Sequence, residues 1–157
     1  MQAKTQMLRE KFWADVPQEE LWDRKLVVGF TTIPRTMPLI LSIIDALTKN
    51  ANAGKTYFSL WCRNFDEHIV EVLNPAELAS ESGFTGNRAT YSWRQRMKTL
   101  KELGFIDTRE GSHDHQFVLL FNPHRVIKKI KDQIPEHLFN QVISRAFDIG
   151  AKDMTED

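Results

Sequence analysis

Residues 73–106 read LNPAELASESGFTGNRATYSWRQRMKTLKELGFI, and this stretch decides the fold. Asn74 is a favoured N-cap residue, Pro75 suits the first helical position, and Glu77 stands where it can complete a capping box. These signals predict a short helix from Pro75 to about Glu81.

A second, longer helix is predicted from Asn87 to Leu103. Gly83 can supply the positive φ of a tight turn after the first helix, and Thr85 is expected to cap the second. Gly104 suits the C-terminal end. Apolar residues recur at intervals of four, four and three and predict a buried stripe of Ala89, Trp93, Met97 and Leu100.

The opposite face of the second helix is polar and carries long side chains. No Asp or Glu occurs between Thr85 and Lys101, whereas five Lys and Arg residues do. At 100° per residue, the residues on this face are Asn87, Arg88, Tyr91, Gln95 and Lys98. The residues on its two borders are Arg94 and Thr99.

A β-hairpin and further helices surround this pair. The hairpin strands are predicted at Phe105–Glu110 and Gln116–Phe121, and an earlier strand near Ile69–Leu73. Further helices are predicted over 34–49, which is apolar on two faces, over 55–65, over 122–132, and from Pro135. The expected fold class is mainly α with a small β-hairpin, that is, α+β.

The chain of 157 residues is expected to form a single domain. Its core would span about 34–121, preceded by a helical extension over 1–33 in which two tryptophans favour docking. C-terminal helices would follow over 122–150, and the polar tail over 151–157 is expected to fray.

The stretches Leu73–Phe84 and Leu100–Ile106 resemble the core of bacterial winged helix-turn-helix proteins. The short run Phe121-Asn122-Pro123-His124 is similar to winged-helix proteins of plasmids and other mobile elements, including replication initiators. The resemblance implies that the second helix enters the major groove of DNA and that the hairpin, the wing, touches flanking phosphates or the minor groove.

On this resemblance, the side chains that would face base edges or phosphates are Arg88, Tyr91, Gln95 and Lys98. Arg109 and His113 would lie on the wing. The wing differs from a strongly basic pattern, because Asp107, Glu110 and Asp114 accompany Arg109.

Overall charge does not favour DNA binding, since 21 Lys and Arg balance 21 Asp and Glu. Local distribution matters more, because salt screens charges beyond about 8 Å. No apolar run is long enough to span a membrane, the first residues are unlike a signal peptide, and one cysteine permits no internal disulfide. A cytoplasmic location is expected.

Three other patterns suggest chemistry and are interpreted structurally. Gly54-Lys55-Thr56 resembles the end of a phosphate-binding loop, but Lys49 stands where that motif needs glycine. His113-Asp114-His115 has no third metal ligand at a recognisable spacing. Cys62 is expected to be a buried structural thiol. No catalytic site, cofactor or metal is therefore predicted.

The sequence favours a non-enzymatic, sequence-selective protein that binds double-stranded DNA. It would be a transcriptional regulator or a replication or maintenance factor of a plasmid or other mobile element. A homodimer through the terminal helices is favoured, with no membrane association. The alternative, which zero net charge and the acidic wing keep open, is a winged-helix adaptor that binds a protein partner.

Overall fold

The computed structural model describes residues 2–49 and 51–156. The chain divides into two units, one ending at Phe30 and one beginning at Thr31. The division lies close to the predicted end of the N-terminal extension at residue 33.

The N-terminal unit contains helix α1, Gln2–Phe12, and a single 3-10 turn, Gln18–Glu20. The side chain of Arg9 donates a hydrogen bond to that of Gln18 (3.1 Å). None of residues 2–30 is buried. Of these two elements only α1 has more than one turn, because Pro17 begins the second segment with an extended backbone.

The larger unit alternates helices with three short strands. The helices are α2 (Met37–Leu47), α3 (Gly54–Cys62), α4 (Pro75–Glu81), α5 (Ala89–Leu103), α6 (Pro123–Lys129), α7 (Glu136–Ile149) and α8 (Lys152–Thr155). The strands are β1 (Ile69–Glu71), β2 (Ile106–Arg109) and β3 (Phe117–Leu120), and a 3-10 turn, Lys131–Gln133, precedes α7. The predicted α+β class is confirmed.

The strands form an antiparallel sheet in the order β1-β3-β2. Val70, Val118 and Thr108 lie side by side across it and are all buried. Because side chains alternate between the faces of a strand, this register turns one face of the sheet to the core. The predicted strands are present, each trimmed at its ends.

Helix α2 lies at the centre of the core, as its two apolar faces predict. Ile40, Ile43 and Ile44 are fully buried, and the partly buried Leu39 and Leu41 also pack against the core. On α3, Tyr57 is buried and meets the ring of Phe105 edge to face, with ring centroids 5.4 Å apart.

Helix α3 does not bury the thiol that was expected to be buried. Phe65 lies beyond the helix and is 85% exposed, and Cys62 is also exposed, so the expectation of a buried thiol was wrong. The helix begins at Gly54, where the backbone N–H donates to Asp45 Oδ1 (2.9 Å) and a Cβ would lie 2.5 Å from that oxygen. That close packing on α2 turns Tyr57 and Leu60 inward.

The C-terminal tail is ordered rather than frayed. Gly150 adopts φ +72° and ends α7, after which α8 forms and buries Met154. Burial of the apolar Met154 side chain stabilises the ordered conformation of this otherwise polar tail. Asp157, the last residue of the predicted frayed segment, lies outside the described residues.

Among the helices described, none combines the length and apolar character needed to cross a membrane.

Candidate nucleic-acid interface

Helices α4 and α5 are joined by a turn that the sequence largely anticipates. Asn74 Oδ1 accepts a hydrogen bond from the Ala76 N–H (3.1 Å) and so caps α4. Gly83 follows with φ +91°, a conformation that an L side chain rarely adopts. Its N–H bonds to the carbonyl of Ser80, which closes the end of α4.

The second helix begins later than predicted. Gly86 has φ +81° and turns the chain once more, and the Ala89 N–H bonds to the Gly86 carbonyl (3.3 Å). Helix α5 therefore starts at Ala89, and Asn87 and Arg88 lie in the preceding turn. The expected cap by Thr85 was wrong, because this extra turn places Arg88 at the N-cap position, without a capping side-chain bond.

The predicted buried stripe of α5 fixes which way the helix faces. Trp93, Met97 and Leu100 are fully buried, and Ala89 packs against the same core. At 100° per residue, the side chains opposite this stripe must point away from the core.

The outward face contains most of the predicted contact residues. The exposed ones are Asn87, Arg88, Tyr91, Arg94, Gln95 and Lys98. The guanidinium of Arg88 lies over the Tyr91 ring, 4.5 Å from its centroid. Thr99 is only partly exposed, and its hydroxyl donates to the carbonyl of Gln95 (3.0 Å). Six of the seven residues predicted for this face and its borders thus share an open surface.

Arg63 of α3 neutralises the acidic residues of α4. Its guanidinium donates to Glu81, with Nε 3.0 Å from Oε1, and also to Glu77 (3.4 Å). The hydrogen bond to Glu81 is the main reason that the pKa of Arg63 lies above its ordinary value. Glu77, which the sequence placed in a capping box, pairs with this arginine across the helices instead.

Asp107 has the same kind of partner on the hairpin. Its carboxylate pairs with Arg109 (2.6 Å) and lies 3.7 Å from Lys101 Nζ. Burial opposes ionisation, but hydrogen bonds from the Thr108 N–H and Arg109 hold the pKa of Asp107 below its usual value. Arg109, predicted to reach DNA from the wing, is therefore held by a neighbouring carboxylate on its own strand.

The outward cations of α5 have no such partners. Within residues 2–49 and 51–156, Arg88, Arg94 and Lys98 form no ion pair. Arg96 differs, because its guanidinium stacks over the Phe84 ring at 5.1 Å and the side chain is half-buried. The zero net charge of the chain thus conceals a local surface of unpaired positive charge.

The two histidines of the β2–β3 loop fold back onto the core. His113 Nε2 lies 2.7 Å from the Val72 carbonyl, and His115 Nδ1 lies 3.2 Å from Thr108 Oγ1. Both rings meet the Trp93 ring edge to face, at 6.4 and 5.9 Å. His113 therefore holds the β2–β3 loop against α5, and its side chain does not project outward from the tip of that loop.

Sequence reasoning missed a buried network at the other end of the unit. Thr36 Oγ1 lies 2.6 Å from His124 Nε2, and His124 Nδ1 lies 3.1 Å from both carboxylate oxygens of Asp153. A carboxylate only accepts, so Nδ1 of His124 carries a proton and donates to Asp153. Only spacing along the chain was available beforehand, and these residues are 88 and 29 positions apart.

A hydroxyl, an imidazole and a carboxylate in this order can activate a nucleophile. Here Thr36 is fully buried, so its hydroxyl is closed to a substrate. The network instead ties the start of α2 to α6 and α8. His124 and Asp153 also line one end of an apolar cleft of about 550 Å³, whose walls include Trp61, Leu119 and Phe121.

The other chemical patterns have structural explanations as well. Gly54 is needed for the contact with Asp45, and Thr56 beside it is buried. Partial desolvation by neighbouring atoms, followed by the nearby charge of Glu81, raises the pKa of the Cys62 thiol although the residue is exposed, which disfavours the nucleophilic thiolate. No group of three or more potential His, Cys, Asp or Glu metal ligands occurs in the described parts of the chain.

Comparison of the chain with protein-family models, with curated proteins and with solved structures finds no match.

Proposed function

We propose that the larger unit is a winged helix-turn-helix domain and that the protein is a cytoplasmic, non-enzymatic, sequence-selective DNA-binding protein. Helices α4 and α5 would form the helix-turn-helix, with α5 as the recognition helix and the β2–β3 hairpin as the wing. The order of helix, turn, helix and hairpin supports this interpretation.

One observation carries the proposal: Glu77, Glu81 and Asp107 on neighbouring elements form ion pairs, while within the described residues the outward cations Arg88, Arg94 and Lys98 form none. Glu77 and Glu81 are held by Arg63, and Asp107 by Arg109 and Lys101. Within the described residues, the outward side of α5 and its preceding turn therefore carries three cations free of ion pairs against one exposed acid, Glu102, and free positive charge is what phosphate binding requires.

The chemistry of this face also suits base recognition. An α-helix fits the major groove, Arg forks to guanine, and Gln pairs with adenine. Arg88 and Gln95 would read bases, whereas Lys98 and Tyr91 would hold phosphates. Arg88, stacked on Tyr91, loses less conformational freedom on binding than a free side chain would.

The test is selection of bound fragments from random double-stranded DNA by the purified protein. We expect a defined sequence to emerge, and we expect Arg88→Ala, Gln95→Ala and Lys98→Ala together to abolish its recovery. Asp148→Ala, on an exposed position of α7, is the matched control and should not affect it. Failure to enrich any sequence, or full recovery by the triple variant, would contradict the proposal.

The location of the selected sequence in a genome would also indicate which process the protein serves. A site upstream of genes would favour transcriptional regulation, and repeated sites at an origin would favour replication or maintenance of a mobile element. A palindrome with half-sites about 34 Å apart would indicate a homodimer.

The adaptor function is the second candidate, and the pairing of Arg109 with Asp107 is the observation that favours it. A wing whose arginine is already neutralised adds little attraction for phosphate. Absence of DNA binding at low salt, with stable capture of a specific protein by the α5 face, would support the adaptor.

A further inference from the structure

The N-terminal unit exposes an unusual amount of apolar surface. Phe12, Trp13 and Trp22 are 61%, 60% and 65% exposed. Eight further large apolar side chains are exposed beside them: Met7, Leu8, Val16, Leu21, Leu26, Val27, Val28 and Phe30. Exposed apolar surface on this scale marks an interaction site.

Charge within residues 2–23 of this unit is segregated along the chain, and Arg24 and Lys25 follow directly after. Helix α1 carries Lys4, Arg9 and Lys11 against a single acid, Glu10. Residues 13–23 carry four acids and no Lys or Arg: Asp15, Glu19, Glu20 and Asp23. Across residues 2–30, none of these groups forms an ion pair.

We propose that α1 and residues 13–23 together, here called the N-terminal patch, form the surface through which two copies of this chain associate. In a two-fold contact the same patch meets itself. The basic α1 of each copy would face the acidic stretch of the other copy, and Phe12, Trp13 and Trp22 would be buried between them.

Charge complementarity is the reason for choosing a second copy over another partner. The patch contains one basic and one acidic section, so an antiparallel copy satisfies both sections at once. A partner with one sign of charge, such as an anionic membrane surface or DNA, would be attracted by α1 and repelled by residues 13–23. In this arrangement the aromatic residues supply affinity and the charges set orientation.

The inference goes beyond the proposed DNA binding and does not depend on it. Two sets of charge reversals on the full-length chain test it, with molar mass measured by sedimentation equilibrium at low salt. One variant is Arg9→Glu with Lys11→Glu, and the other is Glu19→Lys with Glu20→Lys. We expect the wild-type chain to be dimeric and each variant to self-associate about tenfold or more weakly.

An equimolar mixture of the two variants is the decisive sample. In one variant both sections are acidic, and in the other α1 stays basic while residues 13–23 become neutral, because Asp15 and Asp23 then balance the two new lysines. We therefore expect a mixed dimer that is tighter than the self-association of either variant and weaker than that of the wild type. Reversal of Arg145→Glu and Asp148→Lys on exposed positions of α7 is the matched control and should leave the dimer intact. Circular dichroism of each variant checks that it is folded.

Three results would overturn the inference: a monomeric wild-type chain, charge-reversed variants that dimerise as the wild type does, or a mixture that stays monomeric. Loss of the dimer in the α7 control would place the interface there instead. Binding of one DNA half-site by a monomeric variant separates the two proposals, because failure of the patch leaves that binding untouched.

Discussion

The guanidinium of Arg63 on α3 pairs with the carboxylate of Glu81 on α4, and it also reaches Glu77. The pair lies on the surface, so it contributes little to stability, about 0 to 1 kcal/mol. Its importance is electrostatic, because under the proposed function it neutralises the acids on the helix that would cross the DNA backbone.

Removal of Arg63 should therefore weaken DNA binding without contact between this residue and a base. We expect Arg63→Ala to lower affinity about three- to tenfold at low salt, because two carboxylates then repel the phosphates. Fluorescence anisotropy with labelled DNA measures the effect. The double variant Arg63→Ala, Glu81→Gln should recover part of the loss; if it binds no better than Arg63→Ala, repulsion is not the cause.

Gln95→Ala should affect discrimination between sequences more than overall affinity. A glutamine that pairs with adenine in the major groove contributes about 1 to 3 kcal/mol of discrimination against the wrong base. Competition between the selected site and its single-base variants measures this. Equal discrimination by Gln95→Ala and the wild type would remove Gln95 from the list of base-reading residues.

Trp93→Ala should destabilise the larger unit by about 3 to 5 kcal/mol, because a fully buried indole is replaced by a cavity. The loss includes the contacts of His113 and His115 with the ring. Urea denaturation measures the free energy of unfolding. Tyr91→Ala, two residues away and exposed, is the matched control and should change stability by about 0.5 kcal/mol or less. Equal effects at both positions would refute the assignment of the buried face.

Stability should fall as the pH is lowered below about 6.5, the ordinary pKa of histidine. Burial lowers the pKa of His115 in the folded chain, so the unfolded chain takes up a proton first. Stability is therefore full above that pH and is lost progressively down to the folded pKa. Unfolding measured from pH 7.5 to about 5 should show this slope, and His115→Gln should flatten it. An unchanged slope in His115→Gln would assign the effect to another group.

Much of the helical framework follows from local signals in the sequence. The cap at Asn74, the positive φ of Gly83, the helix end at Gly104, and the stripe of Trp93, Met97 and Leu100 are all confirmed. These features depend on residues only a few positions apart, so spacing alone determines them.

The features that sequence reasoning missed depend on distant residues. Arg63 meets Glu81 across 18 positions, and His113 meets the Val72 carbonyl across 41. The expected burial of Cys62 was wrong because the contact between Gly54 and Asp45 sets the start of α3 and so which of its residues face the core. Tertiary packing decides which cations are paired and which are free. The periodicity of the sequence contains no information about this pairing.

The dependence of DNA affinity on salt tests the central claim most directly. Each phosphate neutralised by a Lys or Arg lowers the slope of log K against log salt by about 0.9. We predict a steep negative slope for the wild-type chain, reduced in magnitude by about 0.9 in Lys98→Ala and unchanged in Gln95→Ala, which removes no charge. A wild-type affinity that does not change with salt, or the same slope in all three proteins, would contradict DNA binding by the outward face of α5.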